Sequence, residues 1–416
     1  MVADQDARRS ADMLRRRLTA EGHLIDSGLL SKYLDVVLEN GGRYELVRFD
    51  IGRTVSDFSR VEMSVTAEDE ERLSRILENL VALGCHTMEE TGPVHLKPAE
   101  TDGTVPDDFY STTNHRTRVL HAGRWLEVAD QRMDAVIVVR GDQAACVKLR
   151  DVRAGDPIVC GVEGVQVFPP FREKERADFV FMDNEVSSER RVELAVARLA
   201  ALMRELQAAK RRTVVVAGPV VVHTGGSQHL GRLIRGGYVQ AVLSGNAIGV
   251  HDVEAALLGT SLGIDTGSGI PVSEGHRNHM RAINAIRRCG SLKDAVAQGV
   301  LASGLMYECI KGNVDLVLAG SIRDDGPLPD TIMDMVEAQA RYTQALRDAA
   351  LVLILGTMLH GIGVGNMTPS WVRTVCVDIN PAVVTKLVDR GSAQASGIVT
   401  DVGLFLRLLA DELAGR

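Results

Sequence analysis

Apolar residues follow two rhythms along this chain, and the change between them divides it. In the second half, the runs at 213–218, 241–245, 316–320 and 351–356 are continuous β-branched and aliphatic stretches ending on Gly218, Gly245, Gly320 and Gly356. A fifth run, 374–377, ends on Asp378. Unbroken apolar runs separated by helical stretches are the signature of strands buried on both faces, hence of a parallel sheet covered by helices. Ahead of them, Val192, Val196, Leu199, Met203 and Leu206 keep the spacing of one buried helix face over 192–209. The first half alternates instead. Residues 22–99 read as helix 27–39, strand 44–51, strand 61–66, helix 68–83 and strand 94–97, with Gly41-Gly42 and Gly84 placed beyond the two helix ends. Short strands then recur at 118–120, 125–128, 135–139, 145–149, 157–160 and 165–168. The expected organisation is a small α+β domain over 1–105, a β-rich subdomain over 106–190, and an α/β domain with a parallel sheet over 191–416.

Bulk properties narrow the function. A chain of 416 residues exceeds one ordinary core, so more than one domain is required. Hydrophobic content of 45%, charged content of 25% and a mean hydropathy close to zero describe a soluble globular protein. No apolar stretch is long enough to span a bilayer, and the charged N-terminus has no apolar core behind it, so a cytoplasmic protein without membrane contact is expected. Six cysteines without a CxxC pair read as reduced core thiols. A net charge of −8 removes the basic face that nucleic-acid binding needs. The short cluster Arg15 to Arg17 reads as a solvated helix face.

Candidate chemistry lies on the loops after the predicted strands, where ligands of open α/β sheets bind. Gly218-Pro219 and His223-Thr224-Gly225-Gly226 lead into a helix from Ser227, whose first amides suit an anion. Asn246 and Ala247 follow the second strand, and an asparagine there can donate and accept to an amide or ribose. The third loop carries Ser321 to Pro327 with Asp324-Asp325, read as a ribose or amide contact, a cation-binding pair or a turn. The fourth, 356–366, is glycine-rich. Asp378 ends the next strand, where a carboxylate takes the hydroxyls of an adenosine ribose. Its charge repels a 2′-phosphate and no arginine follows to offset it, which favours NAD over NADP; the alternative is a cap on the helix near Pro381. His251-Asp252 is either an oriented base or a capping pair. His276 and His279 lack a third ligand, and no metal is expected. Residues 111–115, including Asn114 and His115, form a polar cluster suited to substrate or to an ordinary loop. No nucleophile elbow or P-loop is present.

The runs 22–27 (GHLIDS), 109–115 (FYSTTNH), 245–247 (GNA), 306–309 (MYEC), 319–329 (AGSIRDDGPLP) and 377–381 (VDINP) resemble the archaeal-type ornithine cyclodeaminase family. That family shares a region with lysine-ketoglutarate reductase/saccharopine dehydrogenase and is similar to the C-terminal part of cyanobacterial arginine dihydrolase/ornithine cyclodeaminase. The resemblance extends from Gly22 to about Leu408. No counterpart of the arginine-degrading module is seen, so a stand-alone enzyme is expected. The resemblance implies a Rossmann-like domain similar to deoxyhypusine synthase, holding NAD through Asn246, Ala247, Asp325, Thr357, Met358, Leu359, His360, Asp378, Asp401 and Val402.

The activity implied is conversion of L-ornithine to L-proline and ammonia without net redox change. Hydride leaves the α-carbon, the δ-amine closes a five-membered ring and expels ammonia, and the hydride returns. His251 or Asp252 is the expected proton carrier, and Arg53, Asn114 or His115 the expected captor of the substrate carboxylate. A homo-oligomer is expected. Two readings remain open beside it: an amino-acid dehydrogenase of saccharopine or opine type, and a non-catalytic sensor of NAD and an amino acid.

Overall fold

The computed structural model describes residues 14–25, 28–52, 57–88, 92–169, 192–265, 270, 272, 275–324, 326–390 and 395–415. Expectations placed on Arg53 and Asp325 lie outside the described residues, as does the side chain of His276. The chain separates into two compact units, Met1–Val180 and Phe181–Arg416.

The first unit holds two sheets. Strands β1 (Leu14–Gly22), β2 (Arg43–Asp50), β3 (Ser59–Ala67) and β4 (His86–Thr87) form an antiparallel sheet in the order β2-β3-β1-β4, with helices α1 (Leu29–Glu39) and α2 (Glu70–Ala82). The Arg15–Arg17 cluster is therefore not on a helix. It opens a strand whose alternate residues Leu18 and Ala20 are buried while Arg15 and Arg17 stay exposed, and Arg15 Nη2 donates to Glu45 Oε2 at 2.6 Å. Three successive arginines masked a period of two. The helices are amphipathic: Asp69 caps α2 by accepting from the Arg72 amide at 2.8 Å, and Leu73, Ile76, Leu77 and Leu80 face the sheet. The second sheet contains β5 (His95–Pro98), β6 (Arg116–His121), β7 (Arg124–Ala129), β8 (Val136–Arg140), β9 (Gln143–Val147), β10 (Pro157–Cys160) and β11 (Val165–Phe168), in the order β11-β6-β7-β9-β8-β10-β5. Strand β5, read above with the first stretch, pairs with β10 and so lies in this second sheet.

The second unit opens with α3 (Val192–Ala208) and is built on a parallel sheet: β12 (Arg212–Ala217), β13 (Ala241–Gly245), then β16 (Asp315–Ala319), β17 (Thr331–Ile332), β18 (Ala349–Leu355), β19 (Arg373–Asp378) and β20 (Ala395–Val399). A small antiparallel hairpin, β14 (Thr260–Ser261) and β15 (Ile264–Asp265), stands apart from it. The order β17-β16-β13-β12-β18-β19-β20 places the first strand in the middle, its second and third partners on one side, and the later three on the other. Apart from the short edge β17, that is the strand order of the dinucleotide-binding fold, and the order reverses between β12 and β18. Every pairing in this sheet is parallel. Between and after the strands run α4 (Val220–His223), α5 (Ser227–Arg235), α6 (Asn246–Leu258), α7 (Asn278–Cys289), α8 (Leu292–Ala297), α9 (Leu305–Lys311), α10 (Met335–Leu346), α11 (Met358–Met367), α12 (Pro381–Arg390) and α13 (Val402–Ala414). On one face Val214, Val216, Leu243, Val352, Ile354 and Cys376 pack with Tyr342 of α10, Val364 and Met367 of α11 and Leu387 of α12. Burial on both faces is why these strands read as unbroken apolar runs.

Candidate functional site

At the switch point the ends of β12 and β18 touch through backbone alone. A Cβ on Gly218 would lie 2.1 Å from the Gly356 carbonyl oxygen, and one on Gly356 would lie 2.0 Å from Cγ1 of Val220. Gly356 also holds φ +57°, a left-handed conformation that side chains disfavour. Both glycines are thus required here by contact, and Gly356 by its dihedral as well, and they leave bare backbone at the carboxyl ends of the two central strands.

The helices that follow these strands differ in how their first amides are satisfied. Helix α6 begins directly after Gly245 and α11 directly after Thr357, and neither has a side-chain cap. By contrast, Asp401 caps α13 by accepting from the Leu404 amide at 2.8 Å, and Asn380 accepts from the Ala382 amide at 3.0 Å at the start of α12. Every helix start carries amides without intrahelical partners; the starts of α6 and α11, like those of the shorter α4 and α5, have no side-chain cap and are open to an anionic ligand. A bare glycine crossing flanked by two uncapped helix starts fits a dinucleotide pyrophosphate.

Around this crossing the expected residues divide by geometry. Asp378, at the end of β19, accepts from the Asn380 amide at 2.8 Å, and its other oxygen has no partner among the described residues. The cap near Pro381 is supplied by Asn380, so Asp378 shapes the turn and keeps an acceptor for a hydroxyl. Asn246 is buried with its amide committed: it donates to Asp324 Oδ1 at 2.9 Å and accepts from the Leu328 amide and the Thr331 hydroxyl at 3.1 and 3.0 Å. Its side chain pins the loop after β16, which leaves the backbone of Asn246 and Ala247 at the α6 start. Thr357 Oγ1 lies 3.4 Å from His360 Nδ1, and burial pulls the His360 imidazole below its ordinary range. Met358 and Leu359 are exposed on the first turn of α11, whereas Val402 is buried behind Asp401.

His251 and Asp252 sit in the middle of α6, not at a helix start. Asp252 is fully buried and spans to the next layer, where its two oxygens accept from the amides of Leu305 and Met306 at 2.8 and 2.7 Å. It is a cap, though of α9 and not of its own helix. Burial outweighs those amides and pushes its carboxyl up to about 6. With that carboxylate taken, His251 is the member of the pair whose ring remains for proton transfer. Its neighbours include two residues that the sequence did not single out for this purpose: Glu254 one turn on, with Oε2 3.6 Å from His251 Nδ1, and His223, whose ring centre is 5.0 Å away.

In the first unit the polar cluster 111–115 is tied down from within. Thr112 Oγ1 donates to the Arg132 carbonyl at 2.8 Å, the Thr113 hydroxyl accepts from the His115 amide at 3.2 Å, and Gln131 Nε2 donates to the Thr113 carbonyl. Beside it stands a residue the sequence reading missed. Among the described residues, Arg132 Nε and Nη1 are buried without an acceptor, and His115 Nδ1 and Gln131 Oε1 are likewise without partners. Burial and the nearby Arg150 pull the Arg132 guanidinium below its ordinary range, and burial does the same to His115. Lys148 is affected by the same cations. A half-buried guanidinium with two buried N–H groups to spare is a ready donor to a carboxylate. Only its tertiary burial gives it away, since in sequence it lies in a polar turn.

Comparison with known proteins bears on the whole chain. The model of the Rossmann-fold C-terminal region of ArgZ-like arginine dihydrolases matches residues 197–409, that of its first C-terminal region 116–196, and that of the LOR/SDH bifunctional enzyme conserved region 15–115. This chain belongs to the ArgZ-like C-terminal family. Within reach of the family is the ornithine cyclodeaminase of Methanocaldococcus jannaschii, 49% identical over 96% of this chain and 96% of its own length. Of solved structures, apo ArgZ, a cyanobacterial arginine dihydrolase, superposes with a TM-score of 0.86 at 45% identity, covering 97% of this chain and 58% of that one. The ternary complex of AgrE with ornithine and NAD⁺ matches at 46% identity and a TM-score of 0.53, with the same two coverages. This chain thus spans under two thirds of the cyanobacterial proteins and nearly all of the archaeal one. The parallel α/β sheet expected from the apolar runs, and the Rossmann-like domain that the resemblance implies, are those of the ArgZ-like family.

Proposed function

We propose that this chain is an NAD-dependent ornithine cyclodeaminase, converting L-ornithine to L-proline and ammonia. The observation that carries the reading is near full-length identity with an archaeal ornithine cyclodeaminase, extending over both units. The glycine crossing and the uncapped starts of α6 and α11 supply the physical fit for the cofactor. The residues that hold it are Asn246, Ala247, Asp325, Thr357, Met358, Leu359, His360, Asp378, Asp401 and Val402. Bound there, the dinucleotide would supply a hydride acceptor and donor, which lets the reaction close without net redox change.

The protein's own side chains do the rest. His251 carries protons between the two substrate amines. Asn114 and His115, joined by Arg132, take the substrate α-carboxylate. Asp252 holds α6 and α9 together so that His251 keeps its place. The roles fall on three modules, 1–105, 106–190 and 191–416, in a cytoplasmic homo-oligomer that serves proline biosynthesis.

The test is direct. Purified protein with NAD⁺ and L-ornithine is expected to release equal amounts of ammonia and proline with no lasting rise in NADH absorbance. Stoichiometric NADH would assign a dehydrogenase, and ligand-dependent stabilisation without any product would assign a sensor.

Arg132→Met gives a further expected outcome. Charge-assisted hydrogen bonds contribute about 1.5–3 kcal/mol, so KM for ornithine rises roughly 10- to 100-fold. Because Nε and Nη1 of Arg132 are buried without an acceptor among the described residues, replacement by an apolar chain leaves the melting temperature unchanged or higher. A fall in stability with KM unaltered would return Arg132 to a purely structural role.

A further inference from the structure

Among the described residues of the second unit, Glu254 is a buried acid with three hydrogen-bond donors around it. It is fully buried on α6, yet it accepts from the Thr260 hydroxyl at 2.8 Å, the Gly263 amide at 3.0 Å and the Leu262 amide at 3.2 Å, all on the β14–β15 hairpin. Thr260 Oγ1 in turn accepts from Asn278 Nδ2 at 2.9 Å, and Asn278 Oδ1 accepts from Arg281 at 3.3 Å. Burial alone would raise the Glu254 carboxyl, but these donors and His251 together hold it below the ordinary range. An ionised carboxylate is thus fixed in the interior, and structural capping does not account for it, because it begins and ends no helix.

What this carboxylate faces is a histidine pair. His251 Nδ1 is 3.6 Å from Glu254 Oε2, an ion-pair separation, and the His251 ring is tilted at 52° over His223 with 5.0 Å between centres. His223 Nδ1 is 2.9 Å from the hydroxyl of Ser261, the residue after Thr260. The pair lies between α4 and α6, which follow the adjacent central strands β12 and β13. Other charged groups near these elements are already taken: Asp252 by the α9 amides, and Glu308 of α9 by Arg235 of α5.

We propose that Glu254 is a positioning residue that keeps a ring proton of His251 on Nδ1, and that His251 and His223 share one exchangeable proton for the exchange of amines at the substrate α-carbon. The proposal rests on the cyclodeaminase reading. A carboxylate beside Nδ1 favours the proton there, which leaves the Nε2 lone pair as the base. Two rings in contact disfavour a second positive charge, and burial together with the neighbouring His251 pulls His223 below its ordinary range. The chemistry asks for one proton at a time, carried twice. With the α-carbon as the iminium, the pair removes a proton from the δ-ammonium and the δ-nitrogen bonds to the α-carbon, whose π electrons pass to the α-nitrogen. The pair gives that proton to the α-nitrogen and takes one of the two protons on the ring nitrogen. The bond from the carbon to the α-nitrogen then breaks, releasing ammonia as the ring nitrogen's lone pair forms the carbon–nitrogen double bond, and the pair's second proton leaves on the ammonia as ammonium.

The experiment is a long-range ¹⁵N–¹H spectrum of the histidine rings in the full chain with NAD⁺ bound, wild type against Glu254→Gln, with His251→Asn and His223→Asn to assign the signals. A glutamine amide presents an N–H to Nδ1 where the wild type presents a carboxylate oxygen 3.6 Å away. His251 is therefore expected as the Nδ1–H tautomer in wild type and as Nε2–H in Glu254→Gln. In the same variant kcat should fall about 10- to 100-fold while KM and NAD⁺ affinity change less than about threefold. An Nε2–H tautomer in wild type, or an unchanged kcat, overturns the proposal. If Glu254→Gln does not fold, Glu254→Asp draws the carboxylate back from Nδ1 and must give a partial tautomer shift; no shift overturns it equally. A wild-type protein that makes no proline would sink the cyclodeaminase reading and the shared-proton role, whereas the tautomer would still decide what Glu254 does to His251.

Discussion

Gly218→Ala should abolish dinucleotide binding in a protein that still folds its first unit. The added methyl would sit 2.1 Å from a backbone oxygen of Gly356, and unlike a side chain that oxygen cannot rotate aside. Relief requires the ends of β12 and β18 to part, which are paired up to Ala217 and Leu355. Overpacking a core with extra methylenes costs about 1–3 kcal/mol, and a clash against backbone belongs at or above the top of that range. Because the parted atoms are the floor of the crevice, the loss appears in binding as well as in stability. NAD⁺ affinity is expected to fall at least roughly 100-fold, equivalent to about 2.7 kcal/mol. Calorimetric titration with NAD⁺ and a melting curve check both parts. Affinity within threefold of wild type would show that the dinucleotide does not lie over this crossing.

The second large effect belongs to Asp378, where loss of a charged acceptor for ribose hydroxyls should weaken NAD⁺ by roughly 10- to 100-fold. One carboxylate oxygen already serves the Asn380 amide, so alanine removes both the turn contact and the ribose contact. Asparagine keeps an acceptor for the turn and discards only the charge. The two variants therefore separate the roles. Asp378→Asn should lose less NAD⁺ affinity than Asp378→Ala and should narrow the preference over NADP⁺, because the repulsion of a 2′-phosphate is gone. Dissociation constants for both dinucleotides in the three proteins settle it. Parallel changes toward NAD⁺ and NADP⁺ would make Asp378 a turn former only.

The legibility of this architecture in sequence followed burial. Strands β12, β13, β16, β18 and β19 are covered on both faces, so their apolar runs announced themselves, and the glycines at their ends marked the crevice. Strand β20 escaped because the edge segment ASGIV dilutes its run with serine and glycine, and β17 because two residues carry no pattern. Strand β1 was hidden by charge, since Arg15 to Arg17 obscured the alternation of its buried positions. At the site, Asp378 stood out by its place after a strand. Glu254 and Arg132 did not, because nothing local distinguishes a glutamate within a helix or an arginine within a turn. What makes them chemical is a hairpin or a cluster that the chain brings against them from elsewhere. Asp252 shows the reverse case: its proximity to His251 suggested a catalytic dyad, and its actual partners are the amides of a helix more than fifty residues further on.

The central position of β12 also has a price in the order of synthesis. One of its neighbours, β13, follows at 241–245, but the other is complete only when the ribosome has passed 349–355. Until then a nascent chain holds β16, β13 and β12 with one long apolar edge open to any passing strand, the situation that invites aggregation. The polypeptide needs shelter over that interval, and a release factor or pause that truncates it before β18 should yield insoluble protein, whereas truncation before β12 should not.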